Sequence, residues 1–469
     1  MLPPTEPDVL VVGGGPAGAV LAAQLAEWKR SVLLVDRGRR RGSLPEETLV
    51  PAAREALERH GLLTVIRAHD FHGTERHGVI WGDGKVTIRK NPPDARGYKV
   101  HRPTFDTDLR NIARSMGATI LEDHEVLGPV AHGDENTVHI RSSEGDVLEI
   151  RPRLIVLATG KEVSPKLSQL GLVHQLPAMV ALTTYLAPPV TDTDSTVVEA
   201  VPEGWLWWLP LHDGRISLTL FCDPEEMKSV GRNDLFESAC RHAAGPASTV
   251  TASPRSGCRA TPRFLRTRDP FLLVGDAASS IDPLSSQGVE KAIVSAEWGA
   301  VAANTILEHP ELAQQVLDQH FLWEKRLYFA HAQKSLHFYL QEARFSDRPF
   351  WAKRHEAVQV EVERNREGLR GLPALIQVSE GLSLRPALRR KGRLYESVEG
   401  WGLPGSGEVF DAIGRVPLAP LVKFLRAPRS TDEVLTLASE HPDLYLLSPR
   451  IIQQALTEMA RLGMIQAVD

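Results

Sequence analysis

The sequence predicts an α/β protein that combines a Rossmann-like nucleotide-binding domain, an inserted mixed or antiparallel sheet, a helical region and a small winged-helix-like C-terminal module. Three patterns predict this architecture: strand, glycine turn, helix and strand in residues 8–36, alternating apolar runs in residues 180–222, and an amphipathic helix followed by a strand near the C-terminus. The 469 residues are enough for about two or three domains.

A glycine-rich turn with the spacing of a dinucleotide-binding loop follows the first strand. Its GxGxxG pattern is formed by Gly13, Gly15 and Gly18, with Pro16 and Ala17 in the intervening positions. The first glycine permits the tight turn, the second admits a pyrophosphate against the backbone, and the third lets the helix pack on the strand. Asp36, at the end of the second strand, and the adjacent Arg37 are therefore expected to bind the adenosine half of the dinucleotide.

The remaining elements follow from turn signals and apolar periodicity. In chain order, the sequence predicts a hairpin over 78–90 around Asp83-Gly84, a helix over 106–117, strands within 118–151, a buried strand at 154–157, a hairpin joining 205–211 to 216–221, a strand at 271–274 and a helix over 287–307. The C-terminal helix begins at Ser448-Pro449, a cap followed by proline at the first helical position, and Gly463 ends it. A short helix before it and a strand after it are typical of a winged-helix-like module.

These elements divide the chain into three regions. The nucleotide-binding domain is expected in residues 1–370, built from about 1–80, 100–165 and 255–310, with substrate-side insertions at about 80–100 and 165–255 and helices over 311–370. Residues 371–407, with several Pro and Gly, are expected to connect this domain to the winged-helix-like module at 408–469.

Composition narrows the classes of function. The net charge is −5 and the pI is about 6.4, so nothing favours binding to nucleic acid or to an anionic membrane. Three cysteines without CxxC spacing fit a reducing compartment and indicate no metal site. Because the N-terminus has no signal-peptide pattern, we expect a cytoplasmic protein.

Three further motifs lie in the order and spacing of one cofactor domain. They are His101-Arg102-Pro103-Thr104-Phe105-Asp106, Leu157-Ala158-Thr159-Gly160 and Val274-Gly275-Asp276-Ala277-Ala278. Together with the first glycine turn, they resemble the flavoprotein monooxygenase superfamily. The resemblance implies FAD as the cofactor, with Arg102 near the flavin and Gly275-Asp276 at the ribityl chain. It also implies a second glycine turn that contains Ala158 and Gly160.

A second group of motifs narrows the resemblance. It consists of Trp205-Leu206-Trp207-Trp208-Leu209-Pro210, which resembles the WxWxIP motif of flavin-dependent halogenases, and of residues 281–289 and 345–351, which resemble the same enzymes. The resemblance implies that Trp205 and Trp207 belong to the reaction site. It also implies that Pro283, Gln287 and Gly288 lie beside the isoalloxazine ring.

One position departs from the halogenase pattern. These halogenases carry a lysine before a glycine and a WG pair, whereas the matching stretch here is Arg76-His77-Gly78-Val79-Ile80-Trp81-Gly82. Arginine stays protonated and is a poor nucleophile, so it cannot readily form a chloramine. The sequence therefore favours hydroxylation, in which a C4a-hydroperoxyflavin formed with O2 gives oxygen directly to an aromatic ring. Arg76 and His77 are the candidate catalytic residues of this stretch, with Glu75 and His101 as further candidates by region.

The source of electrons is expected to lie outside the chain. No second GxGxxG occurs where a pyridine-nucleotide domain would be inserted. The stretch Gly160-Lys161-Glu162-Val163-Ser164 also departs from the DG motif of hydroxylases that bind NAD(P)H transiently. We therefore expect an external donor or a separate flavin reductase.

The sequence of the C-terminal module is compatible with more than one kind of binding partner. It resembles the peptide-recognition modules of peptide-modifying enzymes, which can bind a leader peptide by strand addition; DNA binding and a lid on the catalytic domain are the alternatives. Its last helix has only Arg450 and Arg461 as cations, which argues against DNA.

Taken together, these features resemble the peptidyl-tryptophan dihydroxylases of cysteine tryptophylquinone biogenesis, which serve quinohaemoprotein amine dehydrogenase. This resemblance implies a tryptophan in a peptide or protein as the substrate. The alternatives are an FADH2-dependent halogenase of a phenol, pyrrole or indole, and a non-catalytic flavoprotein that acts as a maturation factor.

Overall fold

The chain forms two compact units, residues 1–358 and 359–469, in a computed structural model. The structure describes residues 3–38, 46–59, 61–64, 73–74, 76–91, 97–127, 137–161, 170–187, 195–211, 213–267, 270–366, 372–406 and 408–468. In these segments, no helix is both long and apolar enough to cross a lipid bilayer.

The larger unit contains most of the strands. In chain order they are β1 (Val9–Val12), β2 (Val32–Asp36), β3 (Glu46–Leu49), β4 (Gly73–Thr74), β5 (Arg76–Ile80), β6 (Val86–Lys90), β7 (Gly97–His101), β8 (Thr119–Glu122), β9 (His124–Leu127), β10 (Val138–Ser142), β11 (Val147–Ile150), β12 (Leu154–Leu157), β13 (Leu170–Gln175), β14 (Val180–Leu186), β15 (Ser195–Val201), β16 (Gly204–Pro210), β17 (Ile216–Cys222), β18 (Ser256–Arg259), β19 (Arg263–Thr267), β20 (Leu272–Leu273) and β21 (Ser279–Ser280).

The described residues contain eight α-helices that begin in this unit. They are α1 (Pro16–Glu27), α2 (Pro51–Arg59), α3 (Arg102–Ser115), α4 (Pro224–Val230), α5 (Arg232–His242), α6 (Gly288–Glu308), α7 (Ala313–Leu340) and α8 (Pro349–Arg366), the last of which continues past residue 358. Helix α3 begins earlier than the predicted residue 106 because Pro103 occupies its first turn, where no backbone donor is needed.

A five-stranded parallel sheet forms the nucleotide-binding core. Its order is β20-β12-β1-β2-β8, and β1 pairs in parallel with both β2 and β12. The continuous apolar runs of these strands suit a sheet that is buried on both faces. Side chains of the antiparallel β9–β11 meander, such as Ile140, pack on one face. Helix α1 is buried along nearly its whole length, and Gly299 lets α6 approach it closely.

The second large sheet has seven strands in the order β18-β14-β17-β16-β15-β5-β6. Its neighbours are antiparallel except for β15 and β5, which are parallel. Both predicted hairpins, β5–β6 and β16–β17, are confirmed. Residues 76–80, expected within the nucleotide-binding part, instead join this inserted sheet, because β5 pairs with the distant strand β15 as well as with β6.

The two faces of the seven-stranded sheet are covered by different parts of the chain. Successive residues of a strand point to opposite faces. Leu206 and Trp208 therefore pack with Phe236 of α5. Trp205 and Trp207 face the other side, where Trp351 of α8 completes an aromatic cluster.

The smaller unit is built from short elements around one apolar core. They are β22 (Ile376–Val378), β23 (Ser383–Lys391), β24 (Leu394–Gly402), β25 (Ala412–Ile413), β26 (Val416–Pro417), α9 (Leu418–Phe424), α10 (Thr431–Glu440), α11 (Pro449–Arg461) and β27 (Ile465–Ala467). The predicted helix, helix and strand are present, and Ser430 with Glu433 forms a capping box at the start of α10.

The segment 371–407, expected as a connection, differs from that expectation. It supplies β22, which pairs with β27, and the β23–β24 hairpin. Its Pro and Gly content suggests a loop, but Pro386 is accommodated opposite Glu399 in a two-stranded ribbon, where an edge position tolerates proline.

The burial of Trp351 in the aromatic cluster predicts that truncating this side chain lowers the free energy of unfolding. Trp351 is fully buried, and its indole N–H donates to the Val201 carbonyl at 2.8 Å. We expect Trp351→Ala to lower the free energy of unfolding of the larger unit by about 3–5 kcal/mol, because it leaves a cavity and an unpaired carbonyl. Urea unfolding followed by circular dichroism measures this loss. Phe338→Ala, at a side chain that is 53% exposed, is the control; a loss as large as that of Trp351→Ala would contradict the prediction.

Candidate functional site

The first glycine turn is held together by close backbone contacts. Gly13 has φ +109°, and a Cβ there would lie 2.4 Å from the Ala158 carbonyl oxygen. A Cβ on Gly18 would lie 1.9 Å from the Gly13 carbonyl oxygen. Gly15 is the N-cap of α1, Pro16 is at the first helical positions, and the first turn has no acidic residue. The electropositive end of α1 is therefore open to an anion such as a pyrophosphate.

Asp36 lies directly beside this turn. Its two carboxylate oxygens accept the Gly14 and Gly38 N–H groups, each at 2.7 Å. Arg110 of α3 donates to the Gly14 carbonyl at 3.0 Å, so the turn is held from both sides. The exposed Arg37 follows Asp36 at the end of β2, where both were predicted to meet the adenosine half of a dinucleotide.

Two other predicted turns converge on the same helix end. Ala158 is buried and donates its N–H to the Val12 carbonyl at 2.8 Å, while Gly160 has φ +69° in open space. Gly275 has φ +62°, and a Cβ there would lie 2.7 Å from the Ala17 Cβ. Asp276 follows it in a 3-10 turn at the edge of the parallel sheet. This cradle of bare backbone, with a carboxylate at each end, fits the elongated form of FAD.

Arg102 is paired with acids where the flavin end of the site is expected. Its guanidinium contacts the buried Asp106 at 3.1 Å and also Glu47. Glu47 in turn lies 3.4 Å from where a Cβ on Gly288 would stand. Glu47 therefore contacts Arg102 and lies beside Gly288. No sequence motif indicated this glutamate, and the other two residues were predicted separately.

The turn before α6 is tied to the aromatic cluster by a buried acid. Asp282 caps the Pro283–Ser285 turn by accepting the Leu284 N–H at 3.0 Å. Its carboxylate oxygens accept the Tyr339 hydroxyl at 3.1 and 3.0 Å. Burial raises the pKa of Asp282, and burial with the adjacent carboxylate raises the pKa of Tyr339. Gln287 is the N-cap of α6, so Pro283, Gln287 and Gly288 form one continuous rim.

The tryptophan motif lies on the apolar face that this acid reaches. Trp205 is 1% exposed and stacks on Phe221, with ring centroids 3.9 Å apart. Trp207 and Leu284 pack against the same cluster, which includes Tyr339. The structure therefore brings together the two halogenase-like motifs, 205–210 and 281–289, across a water-excluding surface.

Arg76 and His77 are separated by strand alternation. Gly78 and Ile80 face the core side, where Ile80 packs with Leu206 and Trp208, so Arg76 shares that face. His77 shares the other face with Trp207, because Val198 pairs with Trp207 and with Val79. Arg76 therefore lies on the opposite face of the sheet from His77, Trp205 and Trp207, although all four were predicted to belong to the reaction site. Glu75 lies outside the described residues.

His77 is the imidazole that strand alternation places on the face of Trp207. Burial, and then the positive charge of Lys99 on β7, lower the pKa of His77 below its ordinary value. A neutral imidazole at pH 7 can accept a proton. His101 has a different position: it is the N-cap of α3, and its Nδ1 lies 2.8 Å from the Thr104 hydroxyl.

No sequence motif indicated four residues that contact the site. They are Glu47, Lys99, Arg110 and Tyr339, which reach the site from elements distant along the chain. Over the described segments, no group of three or more His, Cys, Asp or Glu side chains could hold a metal ion.

Known proteins share both sequence and fold with this chain. The flavin-dependent halogenase armH4 of Armillaria mellea is 26% identical over 352 residues, which cover 64% of this chain and 66% of that protein, slightly less than two thirds of its length. The peptidyl tryptophan dihydroxylase QhpG, essential for tryptophylquinone cofactor biogenesis, is similar over 98% of this chain and 99% of its own, at 22% identity and a TM-score of 0.68. The flavin-dependent halogenase CmlS is similar over 99% and 96%, at 20% identity and a TM-score of 0.76. At these identities the two structures show a shared fold.

The close backbone packing of the glycine turns predicts how a substitution there changes FAD binding. We expect Gly15→Val to weaken FAD binding by at least about 100-fold, because the side chain would stand between the pyrophosphate and the start of α1. The bound flavin per chain, read from visible absorbance, and the dissociation constant from titration of the apoprotein measure it. Gly171→Val is the control, since its Cβ would come no nearer than 3.9 Å to the Arg266 carbonyl oxygen. A yellow, stoichiometric Gly15→Val protein would contradict the assignment.

The family model of the FAD binding domain matches residues 6–297, more than half of the chain. The matched segment contains the first glycine turn, Arg102, the second glycine turn and the Gly275-Asp276 turn. The chain therefore belongs to the FAD-binding domain family, is similar to flavin-dependent halogenases and monooxygenases, and is a flavin-dependent oxidoreductase.

Proposed function

We propose that this protein is an FAD-dependent monooxygenase that hydroxylates an aromatic ring, namely a tryptophan in a peptide or protein, during the biogenesis of a quinone cofactor. O2 is the co-substrate. The electrons come from an external donor or a separate flavin reductase. Each turnover inserts one oxygen atom into a ring C–H bond and reduces the other to water with two electrons and two protons.

The observation that carries this proposal is the residue at the halogenase lysine position. The sequence resemblance aligns Arg76 with that lysine, and Arg76 lies on the face of Gly78 and Ile80, opposite the two tryptophans. A guanidinium that stays protonated cannot pass a halogen to the substrate through a nitrogen–halogen bond. Direct oxygen transfer needs no such residue.

The proposed peptide substrate is supported by an exposed sheet edge. All five residues of β6 are exposed, and in the described part of the chain no strand pairs with the outer edge of β6. An extended polypeptide can add to such an edge through main-chain hydrogen bonds. His77 of β5 pairs with Arg89 of β6, so β6 would lie between His77 and a peptide placed at this edge. The fold likeness to a peptidyl tryptophan dihydroxylase agrees with this substrate class.

The smaller unit also suits a protein partner better than nucleic acid. The exposed face of α11 is polar and nearly neutral, with Arg450, Gln453, Gln454, Thr457 and Glu458. A DNA-binding helix would carry a cluster of cations instead. We therefore propose no nucleic-acid partner and no membrane partner.

The residues of the site have distinct roles in this proposal. Bound FAD, when reduced, supplies the oxygen-activating chemistry. Trp207, which is partly exposed, presents a flat apolar surface to an indole, and the buried Trp205 belongs to the aromatic cluster that excludes water behind it. His77 accepts, at a ring nitrogen, the proton released when the oxygenated ring regains aromaticity.

One observation favours the alternative, an FADH2-dependent halogenase of a phenol, pyrrole or indole. Lys99 is near enough to His77 to influence its pKa, so a lysine is present on that side of the site even though Arg76 occupies the expected position. Unlike arginine, lysine can lose its proton and act as a nucleophile.

The decisive experiment is an intact-mass measurement. The holoprotein, with FAD chemically reduced under argon, is mixed with a tryptophan-containing precursor protein encoded by a neighbouring gene and then exposed to air, with and without bromide. We expect the mass to rise by whole oxygen atoms, independently of bromide, in the wild type and in Lys99→Gln. A bromine adduct that Lys99→Gln abolishes would establish the halogenase instead. Flavin reoxidation with no substrate modification would leave the non-catalytic maturation factor.

The environment of His77 predicts the pH dependence of the reaction. Because its pKa is lowered, the imidazole remains neutral as the pH falls through 6.5, and kcat/KM should decline only at lower pH. Lys99→Gln removes the positive charge, so the pKa should rise and the acidic limb should move to higher pH. We expect His77→Asn to lose at least about 100-fold in kcat/KM and to lack this limb. An acidic limb unchanged in both variants would exclude His77 as the proton acceptor.

A further inference from the structure

A fully buried ion pair lies behind the Gly275-Asp276 turn. The Lys291 ammonium of α6 is 3.1 Å from a carboxylate oxygen of Glu324 of α7, and the two side chains are 0% and 2% exposed. Removing both charges from water is costly, and apolar side chains of similar size often pack at least as stably. Packing alone therefore does not explain this pair, and its hydrogen bonds indicate its role.

Besides its ion pair with Glu324, the Lys291 ammonium makes two hydrogen bonds to the turn. It donates to the Gly275 carbonyl and to the Ser279 carbonyl, both at 2.7 Å. The carbonyls at the two ends of the 275–279 segment are therefore held by one cation, and Asp276 lies between them.

Glu324 completes the arrangement from the other helix. It accepts the Ser279 hydroxyl at 2.9 Å and the Ser295 hydroxyl, while the Ser295 oxygen accepts the Gly275 N–H at 2.7 Å. Both backbone groups of Gly275 are thus fixed, one through Lys291 and the other through Ser295. The φ of +62° at Gly275 and its close approach to Ala17 are maintained by these bonds.

We propose that Lys291 and Glu324 are positioning residues for FAD. They form a buried clamp that keeps the Gly275–Ser279 turn in its FAD-binding geometry before the cofactor arrives, so the Asp276 carboxylate already stands where the ribityl hydroxyls bind. The clamp reduces the ordering that FAD binding would otherwise require, and it connects α7 to the cofactor site. The inference concerns the FAD site and is independent of which aromatic substrate is oxidised.

The test separates positioning from stability. Either single change, Lys291→Met or Glu324→Met, leaves a lone buried charge and destabilises the fold, so the double variant Lys291→Met/Glu324→Met is the informative protein. We expect its apoprotein to unfold at the wild-type midpoint, within a few degrees, whereas its FAD dissociation constant rises about 10- to 100-fold. Titration of the apoprotein with FAD and thermal unfolding monitored by circular dichroism give the two quantities.

A matched control uses the other end of the same helix. Arg30 and Glu308 form an ion pair at the C-terminal end of α6, far along that helix from Lys291. Arg30→Met/Glu308→Met should bind FAD as the wild type does. If the Lys291→Met/Glu324→Met protein also binds FAD with wild-type affinity, the clamp proposal is overturned and the pair is only structural.

A second variant decides the matter if the double variant does not fold. Ser295→Ala removes the acceptor of the Gly275 N–H and keeps the ion pair. We expect about 3- to 10-fold weaker FAD binding, an unfolding midpoint lowered by no more than about a few degrees, and faster hydrogen exchange at the Gly275 amide of the apoprotein. Wild-type affinity and exchange in Ser295→Ala would overturn the proposal.

Discussion

The close backbone contact between the first glycine turn and the end of β12 is the constraint on which the cofactor half depends. Gly13 touches the Ala158 carbonyl, and Gly18 touches the Gly13 carbonyl, at distances that no Cβ would permit. Gly275 approaches Ala17 in the same way. Three turns from distant parts of the chain can therefore meet at the start of α1, where the helix end favours a phosphate. Asp36 and Asp276 then receive their positions from the turns beside them.

The substrate half depends on a different rule, the alternation of side chains along β-strands. It places Trp205 and Trp207 on one face and Trp208 on the other, so that a single strand contributes both to the aromatic cluster and to the core on the opposite face. The same rule separates His77 from Arg76. The buried hydrogen bonds between Asp282 and Tyr339 connect this face to the turn that precedes α6, and so join the two halves of the site.

Features whose signals are local could be predicted from the sequence. The β1–α1–β2 unit, the two hairpins and the capped helices of the smaller unit all follow from glycine spacing and turn residues that act over a few positions. Features that depend on distant partners could not. Glu47 reaches Arg102 from another strand, and the strands within 371–407 become evident only when β22 pairs with β27. Pro386 made that segment resemble a loop, because local propensity cannot show which ribbon edge will accept a proline.

The parallel pairing of β5 with β15 has a consequence for how the chain is made. During synthesis the β5–β6 hairpin emerges first, and Arg76 must await its partner Ser195, roughly 120 residues later. Until then both edges of the hairpin are open and Ile80 has no core to enter. Such late, long-range closure slows folding and exposes strand edges to other chains. An N-terminal fragment that ends before β15 would therefore expose a strand edge and an apolar side chain that the complete chain covers.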